Sequence, residues 1–417
     1  MPLAEGVSQR IIYKPYATGV ITANTEPVAT VDPGVTGGKT LRRVSSTLEL
    51  AKNTYSSNEI RADRQIADFR HGTRHAQGKI AGELSPSSYF DLFEATHRDT
   101  RVGPVALTHT QYTSIAASAS ASTLTLGSGD AVALGLTAGD IIRLSGSGTT
   151  ANNGVNFTIV SIGGAGNTVL TVSPPPADMS SDTAVGITRP GYSTIVPATG
   201  QVSRKFAFEI YGSDIDVSRL FTECRLSGYT LALPATGLST CDFDVMGRDM
   251  QVLTADAAPF FAAPAAASTT GVCASVNGIL VLGGIAQCVV TGVNLAMTLT
   301  PTAADVVGQN FPAEIFLGRA NCTGTLTAYF QDGVIVSDFL NESEVGLMVT
   351  LDASSAAGAD AISLYMPRIK LSSASVAITG EAGQILTAPF QALLYNGSAP
   401  GVPATTIRIV DTAAAAT

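Results

Sequence analysis

The chain has no tryptophan, and aromatic residues make up only 6% of its 417 positions. A carbohydrate-processing β enzyme would want paired carboxylates flanked by aromatic platforms, so this scarcity weighs against that class. Charged residues are equally sparse at 14%, while hydrophobic residues reach 45%, the reverse of a disordered chain. The net charge is −9, and no block of the chain is strongly basic. That disfavours a protein that grips nucleic acid by its phosphates. The five cysteines (Cys224, Cys241, Cys273, Cys288, Cys322) are odd in number and form no CxxC pair. Reduced, buried thiols are expected, with neither a zinc site nor a disulfide framework. The longest apolar stretches, near 279–296, are interrupted by Gly, Gln, Thr and Asn and fall short of the roughly 20 residues of a membrane span. The opening MPLAEGVSQR carries no apolar core, so no secretory signal is expected.

The motifs of common chemistry are missing too. HExxH, GxSxG and the phosphate-binding GxxxxGK[ST] do not occur. The glycine runs at 126–129, 163–166 and 283–284 sit between β-like runs and read as turns. His71 and His75 are four apart, a helical spacing, but Gly72 and Gly78 flank them and oppose a helix. Asp214 and Asp216 would share one face of a strand, as a solvated or salt-paired edge. No catalytic, cofactor or metal residue is assigned, and the chain is not expected to be an enzyme.

Small, hydroxylated and β-branched residues dominate, and 41 Gly and 20 Pro punctuate them, a mixture suited to short strands and turns. Residues 1–40, with Pro15, Pro27 and Pro33, read as an extended arm or loops. Residues 44–52 alternate like a strand. Residues 53–68 are the most charged stretch and read as a loop with a helical turn. Residues 77–84 return to strand alternation. Ser85-Pro86 then opens a helix predicted over 86–97, with Ser85 as cap and Tyr89, Phe90, Leu92 and Phe93 on its apolar face.

Near residue 106 the texture changes, for only six of the 95 residues in 106–200 are charged. STLTLGS, DIIRLSG, FTIVSIGG and TVLTVSP read as strands of a small all-β domain inserted into another domain. The Pro/Ala-rich 256–271 reads as a linker that, fully extended, could span on the order of 50 Å.

The two ends of the chain resemble each other. At a constant offset of 246, Asp68 meets Glu314, Gly72 meets Gly318, Gly78 meets Gly324 and Phe93 meets Phe339; Glu59 and Ile60 meet Asp305 and Val306. At an offset of 145, CRLSGYTLAL (224–233) meets IKLSSASVAI (369–378). Each copy reads strand, polar loop, glycine, strand, helix, strands. The period is too long for a solenoid, so two tandem domains are expected. The first is 1–105 with 201–255 and the second 272–417.

SSNEIRADRQIADFRHGTRHAQGKIAGELSPSSYFDLFEA (56–95) resembles the major tail tube proteins of long-tailed bacteriophages. DIDVSRLFTECRLSGYTLALPATG (214–237), FDVMGRDM (243–250), EIFLGRANCTGTLTAYFQDG (314–333) and GEAGQILTAPFQALL (380–394) fit the same family. The likeness covers most of the chain outside 106–200. It implies a mainly β fold, with two tandem β-sandwich or barrel-like domains, each with a flanking α-helix, plus the inserted β domain on the tube exterior. It also implies self-association into stacked rings that form a hollow tube, trimeric and pseudo-hexameric for a duplicated member. The implied partners are a tape-measure protein, a tail terminator and distal tail proteins, with transient passage of double-stranded DNA and no membrane. The implied location is the virion tail, assembled in the bacterial host cytoplasm. A head-to-tail contact that closes on itself gives such a ring, and a lumen with little positive charge would let DNA slide.

The expected subunit or ring contacts lie in the charged segment and its repeat: Glu59, Arg61, Asp63, Arg64, Asp68, Arg70, Arg74, Asp305, Glu314 and Arg319. Arginine suits such contacts through its planar donor fork. Gly72, Gly318, Gly78 and Gly324 are expected at equivalent backbone positions, where a side chain does not fit. The competing reading is a secreted or surface-displayed β-sandwich adhesin or shell protein.

Overall fold

The computed structural model describes residues 3–16, 33–286, 290–331, 333–377 and 383–415. Cys288, Pro27 and residues 17–32 of the expected N-terminal arm lie outside them. The fold is mainly β and antiparallel, and among the described residues no helix is long and apolar enough to cross a membrane. The backbone of the molecule is a run of paired strands. Glu49–Ser56 pairs with Phe69–Glu83, which pairs with Thr240–Gly247, and this with Val217–Pro234. Val217–Pro234 pairs with Val290–Thr298, which leads through Asn321–Tyr329 to Ile385–Ala392 and on to Ala361–Leu371 and Ser375–Ala377. One sheet therefore crosses from the first half of the chain to the second.

Each half folds a second layer over this sheet. In the first half Gln9–Pro15 lies between Lys39–Leu41 and Phe206–Gly212, and the early part of Val217–Pro234 lies between Phe206–Gly212 and Asp249–Thr254. In the second, Gly278–Leu282, Glu344–Asp352, Ala361–Leu371, Arg408–Asp411 and Tyr192–Ile195 pair in that order. The few aromatics concentrate where the first-half layers meet. Phe93 stands 5.0 Å from both Tyr229 and Phe243, and Tyr89 stacks 5.6 Å from Phe243.

The two halves pair in matching registers. Ile80 lies opposite Phe243, and Leu326 opposite Ala388; Gly78 lies opposite Val245, and Gly324 opposite Phe390. These are the same positions at offsets of 246 and 145. Even the irregularity repeats: register slips between Leu226 and Gly228, and the corresponding strand stops at Leu371 and resumes at Ser375.

Several expected boundaries move. The helix is Phe90–His97, with Tyr89 at its cap position, while Ser85 bonds Ser88 at 2.7 Å in the preceding turn. Its counterpart is Val334–Leu340. The expected loop begins late because Glu49–Ser56 runs into it, and the strand expected at 77–84 already begins at Phe69. The N-terminal segment contributes the strands Gln9–Pro15 and Lys39–Leu41. Asp214 and Asp216 sit in the turn between Phe206–Gly212 and Val217–Pro234, not in a strand.

Strands between Val105 and Arg189 form a separate eight-stranded sheet with its own core, including Tyr112, Phe157 and Leu170. Tyr192–Ile195 already pairs with Arg408–Asp411, so a boundary at 200 runs past the end of this sheet. The expected linker is also docked rather than extended. The Phe261 side chain is fully buried, and the amides of Phe260 and Phe261 donate to Glu209 at 2.6 and 3.0 Å. Ala262 N and Ala265 N donate to Val35 O and Gly38 O at 2.7 and 2.8 Å. The halves already adjoin in one sheet, so no long span is needed.

Candidate functional site

The charged segment forms the distal part of a long hairpin, Glu49–Ser56 and Phe69–Glu83, whose tip is exposed. Hydrophilic side chains alternate along both strands there because neither face has a layer to bury against. Ile60, Ile66, Tyr55 and Phe69 are nonetheless exposed on this arm. An apolar set of that kind on an extended arm marks a contact surface.

The structure places the expected interface residues in three groups. Glu59, Arg61, Asp63, Arg64, Asp68 and Arg70 are on the exposed tip, where Arg61 pairs Asp63 at 3.0 Å and Arg70 pairs Asp68 at 2.9 Å. At the base of the arm, Arg74 pairs Asp249 at 2.7 Å and its amide donates to Asn310 O at 2.8 Å, while Thr73 donates to Asp305 at 3.2 Å. Arg319 is exposed on the second half, beside Thr298, Thr300 and Gln391. Glu314 differs from the expectation, for its partners are internal: Lys205 at 2.6 Å and Arg225 at 3.0 Å.

Glu314 belongs to a network that sequence reasoning missed. Lys205 also meets Glu223 at 3.1 Å; Arg248 meets Glu223 at 2.6 Å and donates to Pro312 O at 2.8 Å. Three first-half side chains, Lys205, Arg225 and Arg248, thus hold the 312–314 segment of the second half, and Glu223 ties Lys205 to Arg248. Burial works to raise the Glu314 carboxyl, but the Lys205 hydrogen bond, the Ile315 amide and the Arg225 charge outweigh it and hold the group below the usual carboxylate range. One signal was available: Arg225 stands between Cys224 and Leu226, just ahead of the apolar positions Tyr229, Leu231 and Leu233, and a buried charge needs a partner.

Gly78 and Gly324 sit at matching positions of their strand pairs, whereas Gly72 lies within Phe69–Glu83 and Gly318 lies outside the strands, between Ile315–Phe316 and Asn321–Tyr329. A Cβ on Gly78 would lie 2.4 Å from Thr47 O, and one on Gly324 would lie 2.6 Å from Asn294 O. A Cβ on Gly72 would meet the Tyr55 ring at 2.3 Å, and one on Gly318 would meet Thr300 Oγ1 at 2.4 Å.

The eight-stranded sheet is anchored through its few charges. Asp140, fully buried, receives Arg408 at 2.6 Å and Arg189 at 3.4 Å, and Asn156 donates to Asp352 at 2.8 Å. Elsewhere His97 is buried against Tyr229 Oη at 2.9 Å, and burial pushes its pKa down to about 3. Burial pushes Asp411 up to about 7, against amide donors from Ser87, Ala413 and Ala414. Cys224, Cys241, Cys273 and Cys322 are free and buried, which raises each thiol pKa. Among the described residues no group of His, Cys, Asp and Glu is arranged to hold a metal ion.

This mainly β chain with an exposed charged hairpin and sheet edges is matched by the family described as phage tail tube protein, over residues 16–392. The chain belongs to that family. No curated protein matches it. The match spans both halves and the eight-stranded sheet between them. A phage tail tube protein is a structural component of the bacteriophage virion tail, and it self-assembles into a tube together with other tail proteins.

Proposed function

We propose that this tail tube chain closes into rings of three, each chain supplying two tube units, and that the rings stack into the conduit through which genomic DNA is ejected. The first unit is 1–105 with the segment from about 190 to 255; the second is 272–417; the eight-stranded sheet decorates the exterior. The carrying observation is the matched register of the two halves, Ile80 opposite Phe243 and Leu326 opposite Ala388. Tandem copies that already share one sheet halve the number of chains a closed ring requires, and closure removes the open edges. The exposed hairpin with Arg61, Arg64 and Arg70 supports a role in ring-to-ring contact. The tape-measure protein would fill the lumen, and the terminator and distal tail proteins would meet the tube ends. Assembly would take place in the host cytoplasm. The role is structural, with no catalytic step.

Imaging of the assembled particle tests this. Tubes with three chains per ring and pseudo-sixfold symmetry are expected. A true sixfold in which only one half of each chain reaches the lumen would overturn the trimer. A chain that stays monomeric under tube-forming conditions would overturn the ring reading.

A further inference from the structure

The seam between the two halves is an antiparallel strand pair in which Tyr229 lies opposite Met297, Thr230 opposite Ala296 and Leu231 opposite Leu295. Both strands have counterparts elsewhere in the chain, and each counterpart has an open edge. Ser45 lies opposite Ala81 as Gly292 lies opposite Thr327, so 45–51 corresponds to 292–298. Leu231 lies opposite Cys241 as Val376 lies opposite Leu386, so 228–232 corresponds to 373–377. Among the described residues the strand pairings of Ser45–Ser46 and Glu49–Ser56 are all with Phe69–Glu83, and those of Ser375–Ala377 are all with Ile385–Ala392.

We propose that these two edges join neighbouring copies of the chain in the register of the internal seam: Ser373 opposite Ala51, Ala374 opposite Leu50, Ser375 opposite Glu49 and Val376 opposite Leu48. This rests on the ring reading and specifies its chain-to-chain contact. An open edge presents unpaired amides and carbonyls that template another strand, and the chemistry of this edge repeats that of the strand already seated across the internal seam. The side-chain alternation agrees. At the internal seam Leu231 and Leu295 are both buried on one face. In the proposed pairing Leu48, Leu50, Ala374 and Val376 share the apolar face, while Glu49 and Ser375, both exposed in the single chain, share the other. A slip by one residue would set Leu48 against Ser375 and put every side chain on the wrong face.

Directly opposed cross-strand residues have Cα atoms about 4.5–5.5 Å apart, within disulfide reach. In a Cys288→Ser background, a chain carrying Glu49→Cys and Ser375→Cys, assembled and then oxidised, should run without reductant as linked chains up to a closed three-chain species. The yield should exceed by at least about tenfold that of Asn53→Cys with Ser375→Cys, whose sites lie four residues out of register, roughly 13 Å apart. The unmodified chain gives a second readout. Amide hydrogen exchange at 47–51 and 373–377 should slow by about tenfold or more on passing from dispersed chains to tubes, as open edges become paired. Tubes that show no such cross-link and no slowing would overturn this register and leave the tube reading standing. If the cysteine variant fails to assemble, the exchange measurement decides. Absence of rings or tubes from the unmodified chain would overturn the ring reading itself.

Discussion

Arg225 and Glu314 meet at 3.0 Å across the two halves of the chain, the arginine side chain almost wholly buried and the glutamate partly buried. The strand pairs of the seam fix the halves in register, and this ion pair with its neighbours Lys205, Glu223 and Arg248 fixes the loop that precedes the second glycine-bearing strand. Removing one member leaves the others desolvated without compensation.

Glu314→Gln should therefore destabilise the chain by about 3 kcal/mol in chemical denaturation, because Lys205 and Arg225 lose a shared counter-charge. Because the folded carboxyl titrates below its unfolded value, the stability it contributes is present above the ordinary glutamate range and lost as pH falls. A variant as stable as the parent would show that the network is dispensable.

His97 should impose a pH dependence of the same sign. Its folded pKa of about 3 lies below the unfolded value near 6.5, so the unfolded chain binds the extra proton between them. Stability falls as pH drops through that window, at up to about 1.4 kcal/mol per pH unit. The difference in stability between the parent chain and His97→Gln, followed from pH 7 to pH 4, should show that slope. A pH-independent difference would refute it.

Gly78→Ala and Gly324→Ala should each cost more stability than Gly72→Ala. At Gly78 and Gly324 the new methyl meets the carbonyl oxygens of Thr47 and Asn294, which are backbone and held by the sheet. At Gly72 it meets the end of the Tyr55 ring, which is exposed and can swing aside. Losses above about 1 kcal/mol are expected for the first two, in the range of overpacked sites. Thermal melts that rank Gly72→Ala worst would contradict this.

Excision of the eight-stranded sheet should depend sharply on where the cut ends. Replacing 108–189 by a short linker keeps Tyr192–Ile195, which pairs with Arg408–Asp411. Replacing 108–198 removes that strand and opens one edge of Arg408–Asp411, which keeps only Ala361–Leu371 on its other side. The shorter deletion should stay soluble with a cooperative melt, and the longer one should not. Equal behaviour would mean that the strand pair contributes little.

Part of the fold was legible in the offsets of 246 and 145, which recur between strand pairs: Gly78 lies opposite Val245 and Gly324 opposite Phe390, and Leu231 lies opposite Cys241 and Val376 opposite Leu386. Local signals misplaced boundaries where polar residues lack a packing partner. The hairpin strand begins at Phe69, yet His71, Thr73 and Arg74 give no burial period to reveal it. Ser85-Pro86 offers an N-cap signal, but Ser85 spends its hydroxyl on Ser88 and the helix starts later. The Pro/Ala stretch lacks periodicity and so reads as a free linker, although Phe260 and Phe261 dock it on Glu209.

The sequence by itself determined the β class, a β segment of its own beginning near residue 106 and the kinship with tail tube proteins, since these are written in composition and in residues near in the chain. Only the tertiary structure decided which charges are internal and which are free to meet a partner. Glu314 and Asp68 align in the repeat, yet Glu314 is held by Lys205 and Arg225 while Asp68 pairs Arg70 on the exposed tip. The reason is that a charge's role follows from the dielectric and the counter-charges around it, and for Glu314 those come from Lys205 and Arg225, far back in the first half of the chain.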